Sequence, residues 1–276
     1  MVKEQYSAQL EDLASHGYIV VAITHSYDGI VSVFPDGHTV IHDGKRWPTI
    51  PSFEGEHNLN QLEWHARDIR FVIDELVRMS KERASPSFAQ HLDLTRIGAF
   101  GHSFGGMAAA HACQLDQRIR ACVNQDGAEA RKPFRLDARG WGMDQPFMYI
   151  TRDPERVPVP DEALTDMKIT RQQFERFDAT LNAARDAAFE RTGGGSHLVR
   201  LQTTGTSHMD FSDLPFLGAR DRSDAESRAA VLALVRSYTL AFFDQTLRRK
   251  RSSLLDGGHK EELVVAVRRF SPARRR

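Results

Sequence analysis

The fold is decided by residues 96–115, which read RIGAFGHSFGGMAAAHACQL. The apolar run at 96–101 has the length and composition of a buried strand, and 104–115 has the composition of a helix. Strand and helix signals alternate on both sides of this stretch, which predicts crossover units and an α/β fold with a mostly parallel sheet between two layers of helices. The further strands are predicted at 18–24, 119–124, 147–151 and 198–202, and the further helices at 5–16, 58–80, 170–191 and 224–247.

A serine flanked by glycines lies between the predicted strand at 96–101 and the predicted helix at 104–115. Residues 101–105 read GHSFG, a G-x-S-x-G pattern, and Gly106 follows. Glycine at both flanking positions is expected to leave room for a sharp turn that lifts a serine above the sheet. The pattern therefore predicts Ser103 as a nucleophile, with a glycine-rich packing turn as the alternative.

The composition limits the classes of function. The 276 residues carry 37 basic and 37 acidic side chains, so no net charge draws the chain to nucleic acid. The sequence lacks an apolar run of about 20 residues, metal-binding spacing and a nucleotide-binding loop. We expect no cofactor, no metal, no nucleic-acid partner and no transmembrane segment. The first residues, MVKEQYSAQLEDLASHG, do not resemble a signal peptide, so the default expectation is a cytoplasmic protein unless an export signal lies upstream.

A serine nucleophile needs a histidine base, and in open parallel sheets reactive groups gather beyond the carboxyl ends of the strands. Three histidines follow Ser103 late in the chain. His197 precedes the strand at 198–202, and His259 lies beyond the last long helix. His208 follows that strand at the correct end of the sheet, so we predict that it is the base.

Two aspartates qualify as the acid that orients this histidine. Asp126 follows the strand at 119–124, and Asp153 follows the strand at 147–151. Periodicity does not separate them, and Asp153 also precedes a proline, as turn residues often do.

Several segments together resemble one family, the platelet-activating-factor acetylhydrolases of the secreted and intracellular isoform II type and their bacterial esterase relatives. The resemblance implies an α/β-hydrolase fold, a Ser-Asp-His triad, no metal requirement, and cleavage of short or oxidised acyl chains from phospholipids and related esters. In that family the acid follows the strand after the nucleophile helix, which favours Asp126 over Asp153. The segments are Tyr6-Ser7-Ala8, LASHGYIV at 13–20, the turn at 101–106, and Gly205-Thr206-Ser207-His208 with Phe211 and Asp213.

The resemblance also raises a question about the start of the chain. The family has a strand ending in His-Gly just before the segment that matches Tyr6, and the loop after that strand supplies one of two oxyanion amides. We expect this strand, which would lie between 18–24 and 96–101, and its loop to be missing from residues 1–276, with an N-terminally truncated chain as one hypothesis. The Phe104 amide is then the one oxyanion donor predicted from the sequence.

The domain organisation is expected to be simple. Residues 1–255 are predicted to form the hydrolase domain, and 256–276 a C-terminal segment with a basic tail. Residues 152–197 are predicted as a helical insertion, either a lid over the site or a peripheral packing helix. Apolar residues near His208 are expected to form an acyl pocket or a lipid-facing rim, with core packing as the alternative. These residues are Phe211, Leu214, Phe216 and Leu217.

These expectations indicate a serine carboxylic-ester hydrolase that acts on short-chain acyl esters, including platelet-activating-factor-like or oxidised phospholipids. Its partners would be a small ester or a phospholipid, with transient contact to a lipid surface. The alternatives are a non-catalytic binding module with the same fold, suggested by the missing oxyanion loop, and an acyltransferase.

Overall fold

A computed structural model describes residues 3–43, 56–82, 86–127, 144–152, 161–166, 170–176, 179, 183, 189, 195–202, 206–257 and 263–271. The strands are β1 Val31–Val33, β2 Thr39–Ile41, β3 Ile97–His102, β4 Ile119–Gln125, β5 Phe147–Arg152, β6 Ser196–Leu201 and β7 Val264–Phe270. The α-helices are α1 Ser7–Ser15, α2 Glu56–Lys81, α3 Phe104–Leu115, α4 Asp161–Asp166, α5 Leu214–Leu217 and α6 Arg222–Leu247.

Five strands form the main sheet in the order β3-β4-β5-β6-β7. The strands from β3 to β6 pair in parallel, and β7 pairs antiparallel to β6. The predicted α/β class is confirmed. Strand β7 comes from the predicted C-terminal segment 256–276, so this part of the chain contributes an edge strand to the sheet of the hydrolase domain.

Helices cover both faces of this sheet, and alternate strand residues point to the two layers. From β5, Met148 and Ile150 pack with apolar residues of α1 and α6, whereas Phe147 and Tyr149 pack with apolar residues of α2 and α3. Both faces are thus buried, as expected for parallel strands joined by crossover helices. Because the strands from β3 to β6 run in parallel, their carboxyl ends meet at one rim of the sheet.

The predicted strand at 18–24 is wrong, since these residues form no strand in the structure. A strand needs a neighbour with which to share backbone hydrogen bonds, and among the described residues β3 is the edge of its sheet. A groove of about 560 Å³ lies between this segment and β3, and its lining includes Val20, Ile73 and Phe243.

Other predictions need smaller corrections. Residues 27–57 are rich in Gly, Pro, Asp and His, a composition that predicts a long loop, but they contain the antiparallel hairpin of β1 and β2. Ser223 and Glu226 have the spacing of a capping box, but helix α6 is capped by Asp221, which accepts a hydrogen bond from the Asp224 amide at 2.9 Å. Most of the predicted insertion at 152–197 lies outside the described residues. Within the described part of the chain, no helix is both long and apolar enough to span a membrane.

Candidate active site

Ser103 stands on a strained turn between β3 and α3. Its backbone has φ 56° and ψ −126°, a left-handed conformation that residues with a side chain rarely adopt. The turn is fixed by the Ser103 amide, which donates to the carbonyl oxygen of Gln125 at 2.8 Å. The serine side chain is therefore presented at the rim of the sheet, as the motif predicted.

Two of the three glycines around Ser103 are required by close contacts. A Cβ atom at Gly101 would lie 2.5 Å from the carbonyl carbon and oxygen of Gly105, and one at Gly106 would collide with the Asn124 side chain. A Cβ atom at Gly105 would meet nothing within 4 Å. The expectation that both glycines flanking the serine are needed for space is thus corrected: the tight positions are 101 and 106.

The structure brings three predicted residues into one chain of hydrogen bonds. His208 Nε2 lies 2.9 Å from Ser103 Oγ, and His208 Nδ1 lies 2.7 Å from Asp126 Oδ2. Because an ionised carboxylate can only accept hydrogen bonds, His208 Nδ1 carries a proton and donates a hydrogen bond to Asp126. Nε2 is then free to accept the hydrogen bond of the Ser103 hydroxyl, which is the arrangement needed for proton transfer.

The turn that carries His208 is held from beneath by a buried carboxylate. His208–Phe211 form a single 3₁₀ turn, and Asp210 accepts the Ser207 amide at 2.6 Å in a capping box. The other oxygen of Asp210 accepts from Arg228 of α6 at 2.8 Å. This ion pair between Asp210 and Arg228 connects the turn to α6.

The N-terminal segment holds the same turn from the side. Gln9 of α1 donates to the carbonyl oxygen of Phe211 at 2.6 Å. The Asp213 amide donates to the carbonyl oxygen of Gln5 at 2.7 Å, and the Asp213 carboxylate accepts the Ala8 amide at 3.1 Å. The position of His208 therefore depends on residues 5–9 as well as on Arg228 of α6.

Asp126 is nearly enclosed, with 6% of its side chain exposed. It follows β4 in a left-handed turn with φ 51°. Its carboxylate accepts hydrogen bonds from Thr151 Oγ1 at 2.9 Å and from Arg152 Nε at 2.8 Å in addition to the one from His208. Burial raises the pKa of Asp126, but the hydrogen bond from His208 and the charge of Arg152 outweigh it, so the net pKa is lowered and the carboxylate is charged.

A second histidine packs beneath the first. The His102 ring lies 4.4 Å from the His208 ring and stacks on Phe211, and its Nδ1 is 2.9 Å from the Tyr6 hydroxyl. Burial, helped by the neighbouring His208, lowers the pKa of His102 to about 3. His102 is therefore a neutral packing partner at neutral pH.

The remaining predicted site residues have different outcomes. Phe211 has no exposed surface, which favours core packing over an acyl pocket. Phe216 and Leu217 of α5 are 38% and 87% exposed, so their role in substrate binding stays a prediction. Phe104 is the first residue of α3, where backbone amides have no partner within the helix. Its amide therefore remains the candidate oxyanion donor.

Of the alternative site residues, His197 alone lies within the described part of the chain. Asp153 and His259 lie outside the described residues. His197 lies within β6 and is buried against Phe242 of α6. Within the described ranges, no group of three or more His, Cys, Asp or Glu side chains is placed to hold a metal ion.

The residues that surround Asp126 were not predicted from the sequence. Thr151 and Arg152 end β5, which pairs with β4, the strand that Asp126 follows, and this shared rim is the signal that could have found them. Tyr6 was noticed only as part of a resemblance, and its contact with His102 spans 96 residues of sequence.

The sheet, the strained serine turn and the hydrogen-bonded histidine and aspartate define the class of the molecule as an α/β-hydrolase. A solved structure with this fold, the ferulic acid esterase from Streptomyces cinnamoneus, is 25% identical, with a TM-score of 0.68 over 94% of this chain and 68% of the esterase chain. No family model matches the chain. The sequence is a distant homologue of the platelet-activating factor acetylhydrolases, as the resemblance predicted.

Three curated relatives define this homology. The platelet-activating factor acetylhydrolase of Canis lupus familiaris is 25% identical over 91% of this chain and 57% of the relative, and that of Bos taurus is 25% identical over 88% and 54%. A probable 1-alkyl-2-acetylglycerophosphocholine esterase of Arthroderma benhamiae is 30% identical over 52% of this chain and 33% of the relative. The chain therefore spans about half the length of its mammalian relatives, or less for the fungal one.

Proposed function

We propose that this chain is a serine carboxylic-ester hydrolase that acts on short-chain acyl esters through Ser103, His208 and Asp126. The observation that carries the proposal is the continuous chain of hydrogen bonds from Ser103 Oγ through His208 to Asp126. A serine hydroxyl is a weak nucleophile at its ordinary pKa, and a neighbouring base is what makes it reactive.

In the first half of the reaction, Ser103 Oγ attacks the ester carbonyl carbon while His208 Nε2 takes the hydroxyl proton. Asp126 holds the imidazole in the required tautomer and stabilises the imidazolium that forms. The Phe104 amide, at the positive end of α3, donates to the oxyanion. His208 then gives its proton to the leaving alcohol, and an acyl-serine remains.

In the second half, water attacks the acyl-serine, with His208 again acting as the base. The acid leaves, and Ser103 regains its proton from His208. The carboxylate stays ionised throughout, because the net pKa of Asp126 is lowered.

The names of the relatives support a proposal about the substrate class. Two of them are named for the hydrolysis of platelet-activating factor and one for 1-alkyl-2-acetylglycerophosphocholine, both of which carry an acetyl ester. We therefore propose short acyl esters of phospholipids, including oxidised ones, as substrates. The structural match to a ferulic acid esterase makes a bulky aromatic acyl ester the informative comparison.

The direct test is hydrolysis of p-nitrophenyl acetate, p-nitrophenyl octanoate, a 2-acetyl phosphatidylcholine and methyl ferulate by the purified chain. Turnover of the acetyl esters should disappear in Ser103→Ala and His208→Ala and persist in Ser227→Ala, a matched change on the exposed face of α6. Absence of turnover with every ester would favour the non-catalytic binding module, and undiminished turnover in Ser103→Ala would refute the proposed nucleophile.

A further inference from the structure

One oxygen of the candidate acid is shared between a histidine and an arginine. Asp126 Oδ2 accepts from His208 Nδ1 at 2.7 Å and from Arg152 Nε at 2.8 Å. The Arg152 backbone amide also approaches Oδ1 of the same carboxylate, at 3.3 Å. Arg152 thus contacts the Asp126 carboxylate with both its side chain and its backbone amide.

This sharing has two opposite electrostatic consequences. A guanidinium beside the carboxylate keeps it charged and fixes its orientation. The same positive charge stands close to the imidazole, so it opposes the second positive charge that His208 gains on protonation. The side chain of Arg152 is 33% exposed, so solvent and salt weaken this repulsion without removing it.

Among the described residues, Arg152 is the permanently charged basic side chain that contacts the Asp126 carboxylate. His102 faces His208 from β3 and is neutral at neutral pH, because burial lowers its pKa to about 3. The other charged or titratable groups around the turn are Tyr6 of the N-terminal segment, which contacts His102; Asp210, which is paired with Arg228; and Asp213, which accepts the Ala8 amide.

We propose that Arg152 is a positioning residue that fixes the Asp126 carboxylate and, through its charge, disfavours the second positive charge that a protonated His208 would place beside it. The inference rests on the proposed ester hydrolysis, in which the unprotonated imidazole is the active form. Arg152 does not touch the reacting atoms and acts through Asp126 and His208.

The test compares two variants by the pH dependence of kcat/KM for p-nitrophenyl acetate. Arg152→Met removes the charge and keeps an unbranched apolar chain, whereas Arg152→Lys keeps the charge. In Arg152→Met the pH at half-maximal kcat/KM should move up by about half a pH unit or more, and in Arg152→Lys it should stay close to that of the wild type. In 1 M NaCl the difference between wild type and Arg152→Met should shrink.

Two results would overturn the inference: an unchanged midpoint in Arg152→Met, or equal shifts in both variants, which would indicate packing and not charge. Thermal unfolding of each variant shows whether it is folded, and the pH dependence of fluorophosphonate labelling gives a second readout where turnover is low. A wild-type chain without ester hydrolysis that depends on Ser103 would refute the proposed function. An active wild type with an unmoved midpoint in Arg152→Met would refute the inference about Arg152 alone.

Discussion

His208 Nε2 lies 2.9 Å from Ser103 Oγ, although 105 residues of sequence separate the two side chains. The strained turn after β3 sets the position of the serine, and a turn fastened to α1 and α6 sets that of the histidine. A contact between such distant residues, with a carboxylate on the far side of the imidazole, needs many supporting contacts. Each of those supports can be tested separately by substitution.

The identity of the acid is tested by two matched substitutions. Asp126→Asn should lower kcat for p-nitrophenyl acetate by about 10³–10⁴, because an amide at this position can donate to Nδ1 and stabilise the wrong tautomer. Asp153→Asn should leave kcat within about threefold of the wild type. A large loss in Asp153→Asn with activity retained in Asp126→Asn would reverse the assignment.

The glycine requirement of the serine turn is tested by another pair. Gly101→Ala should lower the free energy of unfolding by about 1–3 kcal/mol and reduce activity, because its Cβ would meet backbone atoms that cannot rotate away. Gly105→Ala should be neutral, or stabilising by up to about 1 kcal/mol, because its Cβ meets open space near the start of α3. Urea unfolding measures both effects, and equal losses in the two variants would argue against the close approach of residues 101 and 105 across this turn.

The support beneath His208 is tested at Asp210. Asp210→Asn removes one of the two carboxylates that contact Arg228, the other being Asp224, and weakens the cap of the 3₁₀ turn, so kcat should fall about tenfold or more. The free energy of unfolding should fall by about 2 kcal/mol. Glu226→Gln is the control, since it removes an exposed ion pair with Arg222 and should change stability by less than about 0.5 kcal/mol. Similar effects in both variants would contradict a special role for Asp210.

The stability of the fold should depend on pH through His197. Burial, with the charge of Arg269, lowers the pKa of this histidine to about 4, whereas an unfolded histidine titrates near 6.5. Between these values the unfolded chain binds a proton that the folded chain does not, so stability falls as the pH drops from about 6.5 towards 4. In His197→Leu this contribution is absent. The free energy of unfolding of the variant should therefore fall by about 2–3 kcal/mol less than that of the wild type over that range. Urea unfolding at pH 7.5 and 4.5 measures it, and identical losses would contradict the burial of a neutral imidazole.

The half of the fold around the serine turn could be predicted from sequence because its signals are local. The apolar runs that form β3 and β4, the helix between them and the motif at the junction each have a period or a composition of their own. The segment at 18–24 has the same apolar character, yet it forms no strand, because pairing depends on a neighbour that is not beside it among the described residues. The three-residue strands β1 and β2 were missed because a short hairpin rich in turn residues looks like a loop.

The candidate site, like the fold, could be predicted from the sequence only in part. Ser103 and His208 follow from a motif and from a position after a strand, whereas Asp126 and Asp153 have the same relation to their strands and could be separated only by resemblance. Arg152 has only a weak sequence signal, its place at the end of β5, because a charged residue at the end of a strand is common and its contact with Asp126 depends on how β4 and β5 pair. The catalytic roles of all these residues stay predictions.

The most direct test of the central claim is covalent labelling of the purified wild-type chain by a fluorophosphonate, with the modified peptide identified by mass spectrometry. The account predicts one equivalent of label on Ser103 and a labelling rate reduced by about 10² or more in His208→Ala, because the probe reacts with an activated serine. Label on another residue, or an equal rate in His208→Ala, would contradict it.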